Sequence, residues 1–230
     1  MRELVMDTET TGFEPSEGHR IVEIGVVEIV NLMPTGRTYH QYINPERPMP
    51  PEAFEVHGLG DDFLRDKPRF AAIVDAFLDF IGADRLVIHN ASFDMKFLNA
   101  ELGWAGRPLL APERAFDTLA LARKKFPGAP ASLDALCRRF AIDNSSRTLH
   151  GALLDSEILA EVYLELSGGQ QPDFALSTAA QDAGSNGARV PLPRRPNPLP
   201  ARLTEAEAAA HAAFVADLGE AAIWRKYLTS

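Results

Sequence analysis

Asp7 and Glu9, separated by one threonine, follow the short apolar run Leu4–Met6 near the start of the chain. Residues i and i+2 of a β-strand point to the same side, so the two carboxylates would meet at one place. A cation between them relieves their repulsion, and an all-oxygen ligand set suits Mg²⁺ or Mn²⁺ better than Zn²⁺. The pattern predicts a divalent-cation site, although a solvated acidic pair at a strand end has the same spacing.

A third acid, Asp94, comes just after the polar turn that ends the buried run Leu86–Ile88. We expect a helix to begin near Phe93, which would place Asp94 in its first turn. Acidic residues are common at that position because they complement the helix dipole. A functional role is also open, since ligands of mixed α/β sheets tend to bind at strand ends.

His150 and Asp155 form the third group, in the stretch His150-Gly151-Ala152-Leu153-Leu154-Asp155. Five positions along a regular helix turn through about 140°, so the two side chains cannot share one helical face. They can meet if His150 lies on the loop before a helix and Asp155 on its second turn. A solitary exposed histidine is the alternative interpretation.

The three groups together predict a catalytic metal site more strongly than any one of them alone. Four carboxylates and a histidine from separate segments match the needs of two-metal phosphodiester hydrolysis, in which cations stabilise the attacking and leaving oxygens. A histidine can accept the proton of the attacking water near neutral pH.

The order of secondary-structure elements predicts a mixed α/β sheet flanked by helices. Apolar and β-branched runs predict strands, whereas apolar residues at helical spacing predict helices. The predicted strands cover residues 4–6, 21–30, 38–43 and 86–88, and the predicted helices about 93–102, 70–81, 118–126, 132–140 and 151–166.

Charge is unevenly distributed along the chain, whose formal net charge is −9. Residues 1–166 hold 17 lysines and arginines against 26 acidic residues, whereas residues 167–230 hold 6 of each. Proteins that bind nucleic acid unaided are usually basic. This chain would therefore need cations and a partner to hold a polyanionic substrate. The single cysteine, Cys137, fits a reducing cytoplasm, and no apolar stretch is long enough for a membrane span.

The three motifs resemble those of the DEDD exonuclease superfamily in its His-containing branch, and within it the epsilon-subunit family of bacterial DNA polymerase III. Further similar stretches are Glu23–Gly25, Pro51–Gly58, Ser132–Cys137 and Arg147–His150. The resemblance covers about residues 3–170. It implies a ribonuclease-H-like α/β fold, with an exonuclease domain over residues 1–169.

The resemblance also implies roles for individual residues. Asp7, Glu9 and Asp155 would hold the cation that activates water, Asp7 and Asp94 would support a second cation, and His150 would be the general base. The family's contacts to the terminal nucleotide fall on Thr8, Thr10, His57, His89 and Phe93. Phe93 could equally anchor its helix in the core, and Asn90 could cap that helix.

Beyond the predicted domain the composition changes. Residues 170–202 are rich in proline and glycine and are expected to form a flexible linker. Residues 171–176 match the pattern of sliding-clamp ligands, with Gln171, Phe174 and Leu176 as contacts. Residues 203–230 are expected to form a helical tail that begins at a Thr204–Glu207 capping box. The tail resembles the family's tether to the polymerase alpha subunit, with Trp224 and Tyr227 as anchors.

The resemblance implies a 3′→5′ exonuclease that proofreads at DNA primer 3′ ends with two Mg²⁺ or Mn²⁺ ions, at the replication fork in the bacterial cytoplasm. A tether would explain how an acidic domain meets primer ends, because it raises their effective concentration. The alternatives are a free-standing 3′→5′ ribonuclease of the same superfamily and a non-catalytic adaptor between clamp and polymerase.

Overall fold

The computed structural model describes residues 1–145, 149–169 and 204–219, in two compact units that meet between Leu176 and Ser177 in the chain. The described strands of the first unit are β1 (Arg2–Thr10), β2 (Ile21–Val30), β3 (Met33–Tyr42), β4 (Arg85–Ile88) and β5 (Ala115–Asp117). Its described helices are α1 (Pro51–His57), α2 (Asp61–Leu64), α3 (Phe70–Ile81), α4 (Ala91–Trp104), α5 (Thr118–Lys125), α6 (Leu133–Phe140) and α7 (Ala152–Leu166).

The strands form one mixed sheet in the order β3-β2-β1-β4-β5. Strands β1, β2 and β3 pair antiparallel, whereas β4 pairs parallel to both β1 and β5. Strand β1 therefore lies at the centre, with its carboxyl end beside that of β4. The predicted mixed α/β sheet is confirmed.

Alternation along β1 separates two hydrophobic cores, one on each face of the sheet. Leu4 and Met6 belong to the core that contains residues of α3 and α4. Val5 belongs to the core that contains residues of α5, α6 and α7. The same alternation directs Asp7 and Glu9 towards the α7 face and Thr8 towards the α4 face.

Helix α7 packs directly on Gly25 of β2, the residue paired with Asp7 across the strands. A Cβ added at Gly25 would lie 2.2 Å from the backbone nitrogen of Leu153 and 2.3 Å from the backbone carbon of Ala152. The buried hydroxyl of Ser156 lies 3.0 Å from the carbonyl oxygen of Gly25 and fixes the contact from the helix side. This close approach sets the first turn of α7 beside the carboxyl end of β1.

Several elements differ from the predicted bounds. Strand β1 runs to Thr10 instead of ending at Met6, because pairing with β2 continues through the acidic residues. Strand β3 begins at Met33, not residue 38, since its polar first half is held by the β2 hairpin. Asp155 lies in the first turn of α7, not the second, because the helix begins at Ala152.

Three short elements were missed by the sequence patterns. Strand β5 has three residues and exists through its pairing with β4, which local sequence does not encode. Helix α2 spans only four residues. Helix α1 did carry a signal: Pro51 occupies its first position, and Gly58 follows its end with φ +72°.

The described residues of the second unit form helix α8 (Glu205–Asp217). The predicted capping box is confirmed, since the side chain of Thr204 accepts from the backbone N–H of Glu207 and that of Glu207 accepts from Thr204. Phe214 and Leu218 are exposed. Among the described helices of the chain, none combines the length and apolarity needed to cross a bilayer.

The linker over residues 170–202 lies outside the described residues, and so does its clamp-ligand pattern at residues 171–176. The predicted partner contacts also lie outside them: Gln171, Phe174, Leu176, Trp224 and Tyr227. These features stay predictions.

Replacing Gly25 with alanine should destabilise the domain by about 2–3 kcal/mol, because the new methyl group meets helix backbone that cannot move without displacing α7. Chemical denaturation of purified Gly25→Ala and wild type measures the change. Gly103→Ala is the matched control: Gly103 is helical and its nearest neighbour would be 3.9 Å away. A Gly25→Ala protein as stable as the control would contradict the proposed packing constraint.

Candidate active site

A cleft of about 460 Å³ opens at the carboxyl ends of β1 and β4, and all five residues predicted to carry chemistry line it. The structure thus brings together groups that are more than 140 positions apart in the chain. We call this space the carboxylate cleft. Its lining residues are Asp7, Thr8, Glu9, Phe13, His89, Asn90, Phe93, Asp94, Ser132, Leu133, Asp134, His150 and Asp155.

Two faces of the sheet supply the carboxylates. Asp7 and Glu9 point towards α7, which presents Asp155 from its first turn. Thr8 points the other way, and its hydroxyl donates a 2.8 Å hydrogen bond to Asp94 Oδ1 on α4. The strand end therefore holds acids from both sides of the sheet at its rim.

Asp94 is fully buried, with a relative exposure of 2%. Burial raises the pKa of Asp94 to about 7, although the hydroxyl of Thr8 acts in the opposite direction. A carboxylate taken out of water is costly unless a positive charge compensates it. Asp94 therefore favours either a proton or a cation in the cleft.

Glu9, His150 and Asp155 each direct one ligand atom into a group whose atoms lie within 4.8 Å of one another. In this group, His150 Nδ1 lies 3.3 Å from Asp155 Oδ2. The carboxylate oxygens fit a hard divalent cation, as the donor set Asp7, Glu9, Asp94 and Asp155 predicts. The imidazole lies close enough to serve either as a further ligand or as a base beside the cation.

His150 is exposed and lies on the loop before α7, as predicted, where its backbone N–H donates to the carbonyl oxygen of Val56 at 3.1 Å. The neighbouring Leu149 contacts the turn after α1, since a Cβ on Gly58 would lie 2.7 Å from Leu149 Cδ1. Helix α1 thereby supports the loop that carries the histidine.

A second cavity of about 400 Å³ adjoins the cleft and shares Thr8, Glu9, Phe13 and Phe93 with it. Its remaining lining residues are Thr10, Thr11, Gly12, His19, Pro50, Glu52, Ala53, Val56 and His57. We call it the apolar cavity. Aromatic and aliphatic walls with a few polar groups are typical of small-molecule sites.

His57 is one of the buried polar residues that line this cavity. Its Nδ1 accepts a 3.0 Å hydrogen bond from the backbone N–H of Leu59, which leaves the proton of the neutral ring on Nε2. Nε2 is buried, and no described residue meets full hydrogen-bond geometry with it, although the backbone of Thr10 interacts with the ring and acts to raise the pKa of His57. Burial lowers the pKa of His57, so the ring is a neutral donor near pH 7.

The other predicted nucleotide contacts differ in their surroundings. Thr10 is buried, and its hydroxyl donates to the carbonyl oxygen of Gly12 at 2.7 Å, which stabilises the turn. His89 Nδ1 lies 2.9 Å from Thr118 Oγ1, and burial lowers the pKa of His89. Phe93 both lines the two cavities and contacts Phe97 of the core, with ring centroids 5.1 Å apart. Asn90 occupies the N-cap position of α4, yet its side chain makes no capping hydrogen bond.

Two residues that position the site were not identified from the sequence. Gly25 belongs to the similar stretch Glu23–Gly25, and no sequence pattern points to Ser156. Both act through the contact between β2 and α7, which joins positions 131 residues apart. An isolated glycine inside a strand is the available signal, because it often marks a close backbone approach.

Without divalent cations, ionised Asp94 should destabilise the fold. The pKa of Asp94 in the folded protein is about 7, above the ordinary aspartate value of 3.8, so the folded state binds more protons between these pH values. Stability from this group is present at low pH and is lost as pH rises to about 7. Asp94→Asn should therefore melt a few degrees higher than wild type in chelator at pH 8, with a smaller difference at pH 5. A difference independent of pH would contradict the assignment.

The match to known proteins agrees with this geometry. Residues 4–163 match the family model of exonucleases. DNA polymerase III subunit epsilon of Rickettsia felis is 56% identical over 179 residues, which cover 76% of this chain and 78% of the relative. The subunit of the same name from Escherichia coli K12 is 46% identical over 236 aligned residues, which cover 97% of each chain.

Solved structures with the same fold include exonuclease X in complex with 5′-overhanging duplex DNA, at 28% identity and a TM-score of 0.56 over 72% of this chain and 90% of that chain. The nuclease domain of 3′hExo, a DEDDh family member, is 20% identical with a TM-score of 0.61 over 74% and 94% of the two chains. The predicted ribonuclease-H-like fold is confirmed by these neighbours. The chain belongs to the exonuclease family, together with the epsilon subunits of bacterial DNA polymerase III.

Proposed function

We propose that this exonuclease proofreads for a bacterial replicative DNA polymerase by removing 3′-terminal nucleotides as nucleoside 5′-monophosphates. One observation carries the proposal: four acids and a histidine line a single cleft that opens into an apolar cavity. The cleft suits a phosphodiester, and the cavity suits the nucleoside attached to it. The epsilon-subunit relatives support DNA as the substrate.

The four acids Asp7, Glu9, Asp94 and Asp155 would hold the metal, which we propose to be two Mg²⁺ or Mn²⁺ ions. Bound divalent cations supply the positive charge that offsets these buried carboxylates and the phosphate, and they acidify water. The burial of Asp94 beside Thr8 supports this proposal, because its carboxylate otherwise favours a proton at neutral pH.

His150 would act as the general base. Its loop position leaves the ring exposed to water in the cleft, while Val56 fixes the backbone. Asp155 lies 3.3 Å from Nδ1 and can orient the ring and stabilise its charged form after proton uptake. The ring would accept the proton of the attacking water while the water oxygen bonds to phosphorus, the bond between phosphorus and the leaving 3′ oxygen breaks, and that oxygen takes up a proton from solvent.

The apolar cavity would bind the terminal nucleoside. Phe93 and Val56 provide surface for the base and sugar, and the Nε2 proton of His57 is available to an acceptor atom of the ligand. Water is displaced from the apolar walls when the nucleoside enters, which favours binding.

Substitutions should separate the base from the metal ligands. His150→Gln should lower kcat by about 100-fold or more, because general-base catalysis contributes about that factor, while Mn²⁺ affinity changes little. Glu9→Gln is the comparison variant and should weaken Mn²⁺ binding measured by calorimetry. A His150→Gln enzyme with near wild-type kcat at saturating metal would exclude the base role.

Retained exonuclease activity in Asp7→Ala/Glu9→Ala would exclude the carboxylate cleft as the catalytic site.

We further propose that residues 203–230 bind the polymerase alpha subunit and that residues 171–176 bind the sliding clamp. The Escherichia coli relative matches this chain over 97% of its length, so the tail has a counterpart in a polymerase subunit. Phe214 of α8 and Leu218 just after its end are exposed and offer apolar surface to a partner. The acidic nuclease domain would then meet primer ends through its tether.

Deleting residues 201–230 should abolish co-purification with the alpha subunit without changing hydrolysis of a short oligonucleotide, because the cleft residues all precede the deletion. Gln171→Ala/Phe174→Ala/Leu176→Ala should instead reduce binding to the clamp alone. Unchanged polymerase association in the truncated protein would show that the tail is not the tether.

A further inference from the structure

Five basic residues lie in the last turns of two helices whose ends are in contact. Arg123, Lys124 and Lys125 form the last turn of α5, and Arg138 and Arg139 lie in the last turn of α6. The segment 118–140 that contains them holds a single acidic residue, Asp134. We call these five residues the basic surface.

The contact between α5 and α6 brings the two basic ends together. The rings of Phe126 and Phe140, which follow α5 and end α6, have centroids 6.0 Å apart. The guanidinium of Arg139 lies 4.3 Å from the centroid of the Phe126 ring. Like charges are thus held close to one another by an aromatic contact, at an electrostatic cost that a polyanion would remove.

The basic surface has no acidic ion-pair partner within the part of the chain that the structure describes. All five side chains are exposed, and none forms an ion pair with a residue that the structure describes. Most other cations of the first unit are paired, as Arg20 is with Glu101 and Arg107 with Asp75. Unpaired cations in an acidic domain remain available for an external anion.

The surface continues from the catalytic residues. Arg138 lines a polar cavity of about 590 Å³ together with His150, Asn144 and Ser145. The acids Glu55 and Asp134 line the same cavity, and Asp134 accepts a 3.1 Å hydrogen bond from Asn144. The amino-terminal end of α6 lines the carboxylate cleft through Ser132 and Leu133, so the helix connects the cleft with the basic surface.

The length of α5 connects the cleft with the basic surface. Thr118 at the start of α5 contacts His89 of the cleft, and Lys125 lies seven residues further along the helix, about 10 Å away at 1.5 Å per residue. A nucleic-acid strand that leaves the cleft along α5 would therefore reach the basic surface within a few nucleotides.

We propose that the basic surface binds the phosphate backbone of the DNA that extends from the carboxylate cleft. This inference rests on the proposed DNA exonuclease function and adds the surface that holds the substrate beyond its terminal nucleotide. The contact is with phosphates, so it is independent of base sequence. It also gives the acidic domain a local means of guiding a polyanion to acidic catalytic residues.

Basic residues in the last turn of a helix also have a purely structural explanation, because they stabilise the helix by complementing its dipole. That explanation predicts a loss of thermal stability when the charges are removed, and no change in substrate binding. The two explanations therefore differ in their measurable consequences.

The test uses the full chain with Arg123→Gln/Lys124→Gln/Lys125→Gln, and Arg138→Gln separately. Arg139 is left intact because its packing on Phe126 is structural. The control is Arg65→Gln/Arg69→Gln/Arg107→Gln, which removes the same charge from exposed, ion-paired positions outside the surface. Substrates are a long single-stranded DNA and the p-nitrophenyl ester of thymidine 5′-monophosphate, which is too small to reach the basic surface.

The α5 triple variant should raise KM for the long DNA about tenfold at low salt and reduce the slope of log affinity against log salt by about 2, as expected for three lost phosphate contacts. The control should change neither, and hydrolysis of the ester should be unchanged in both. Arg138→Gln should show a smaller effect of the same kind.

Other outcomes overturn the inference. Unchanged KM and salt slope, with or without a lower melting temperature, would leave the dipole explanation. Weaker binding to the polymerase subunit with unchanged DNA kinetics would assign the surface to a protein partner. Absence of ester and DNA hydrolysis in the wild type would instead reject the proposed function, which keeps the two failures distinct.

Discussion

The whole site depends on the direct contact between the backbone of α7 and Gly25. Because residue 25 has no side chain, the first turn of the helix reaches the sheet, and Ser156 holds it there. Asp7 pairs with Gly25 across the strands, so the contact sets the spacing between the acids of β1 and those of α7. A side chain at this position would move Asp155 and the His150 loop away from the strand end. Catalytic geometry is therefore a consequence of how closely two backbones can pack.

The acids gathered by this contact are costly to the fold without a cation. Asp94 is buried beside the hydroxyl of Thr8, and its raised pKa expresses the cost of keeping its carboxylate charged. Glu9 and Asp155 are also buried, in a domain that already carries excess acid. Metal binding would therefore stabilise the fold, since a cation compensates the free-energy cost of desolvating the carboxylates. The acids that could hold a cation are thus the same acids whose burial is unfavourable without one.

The domain has opposite electrostatic needs at two places. Cation binding requires a concentration of negative charge in the cleft, whereas a DNA backbone is repelled by it. Under the proposed function, different residues meet these needs: the acids converge at the strand ends, and the basic residues lie in the last turns of α5 and α6.

Residue types and spacing were sufficient to predict the mixed sheet, the long strands and helices, and five of the residues that line the cleft: Asp7, Glu9, Asp94, His150 and Asp155. Those features are local, because periodic apolar residues and short acidic motifs appear within a few positions of one another. Tertiary structure decided which acids are buried, how His150 is held by Val56, and why Gly25 is required. It also decided strand β5 and the gathering of the basic residues around Phe126 and Phe140. These properties arise from contacts between distant segments, whose desolvation and packing no short stretch of sequence specifies.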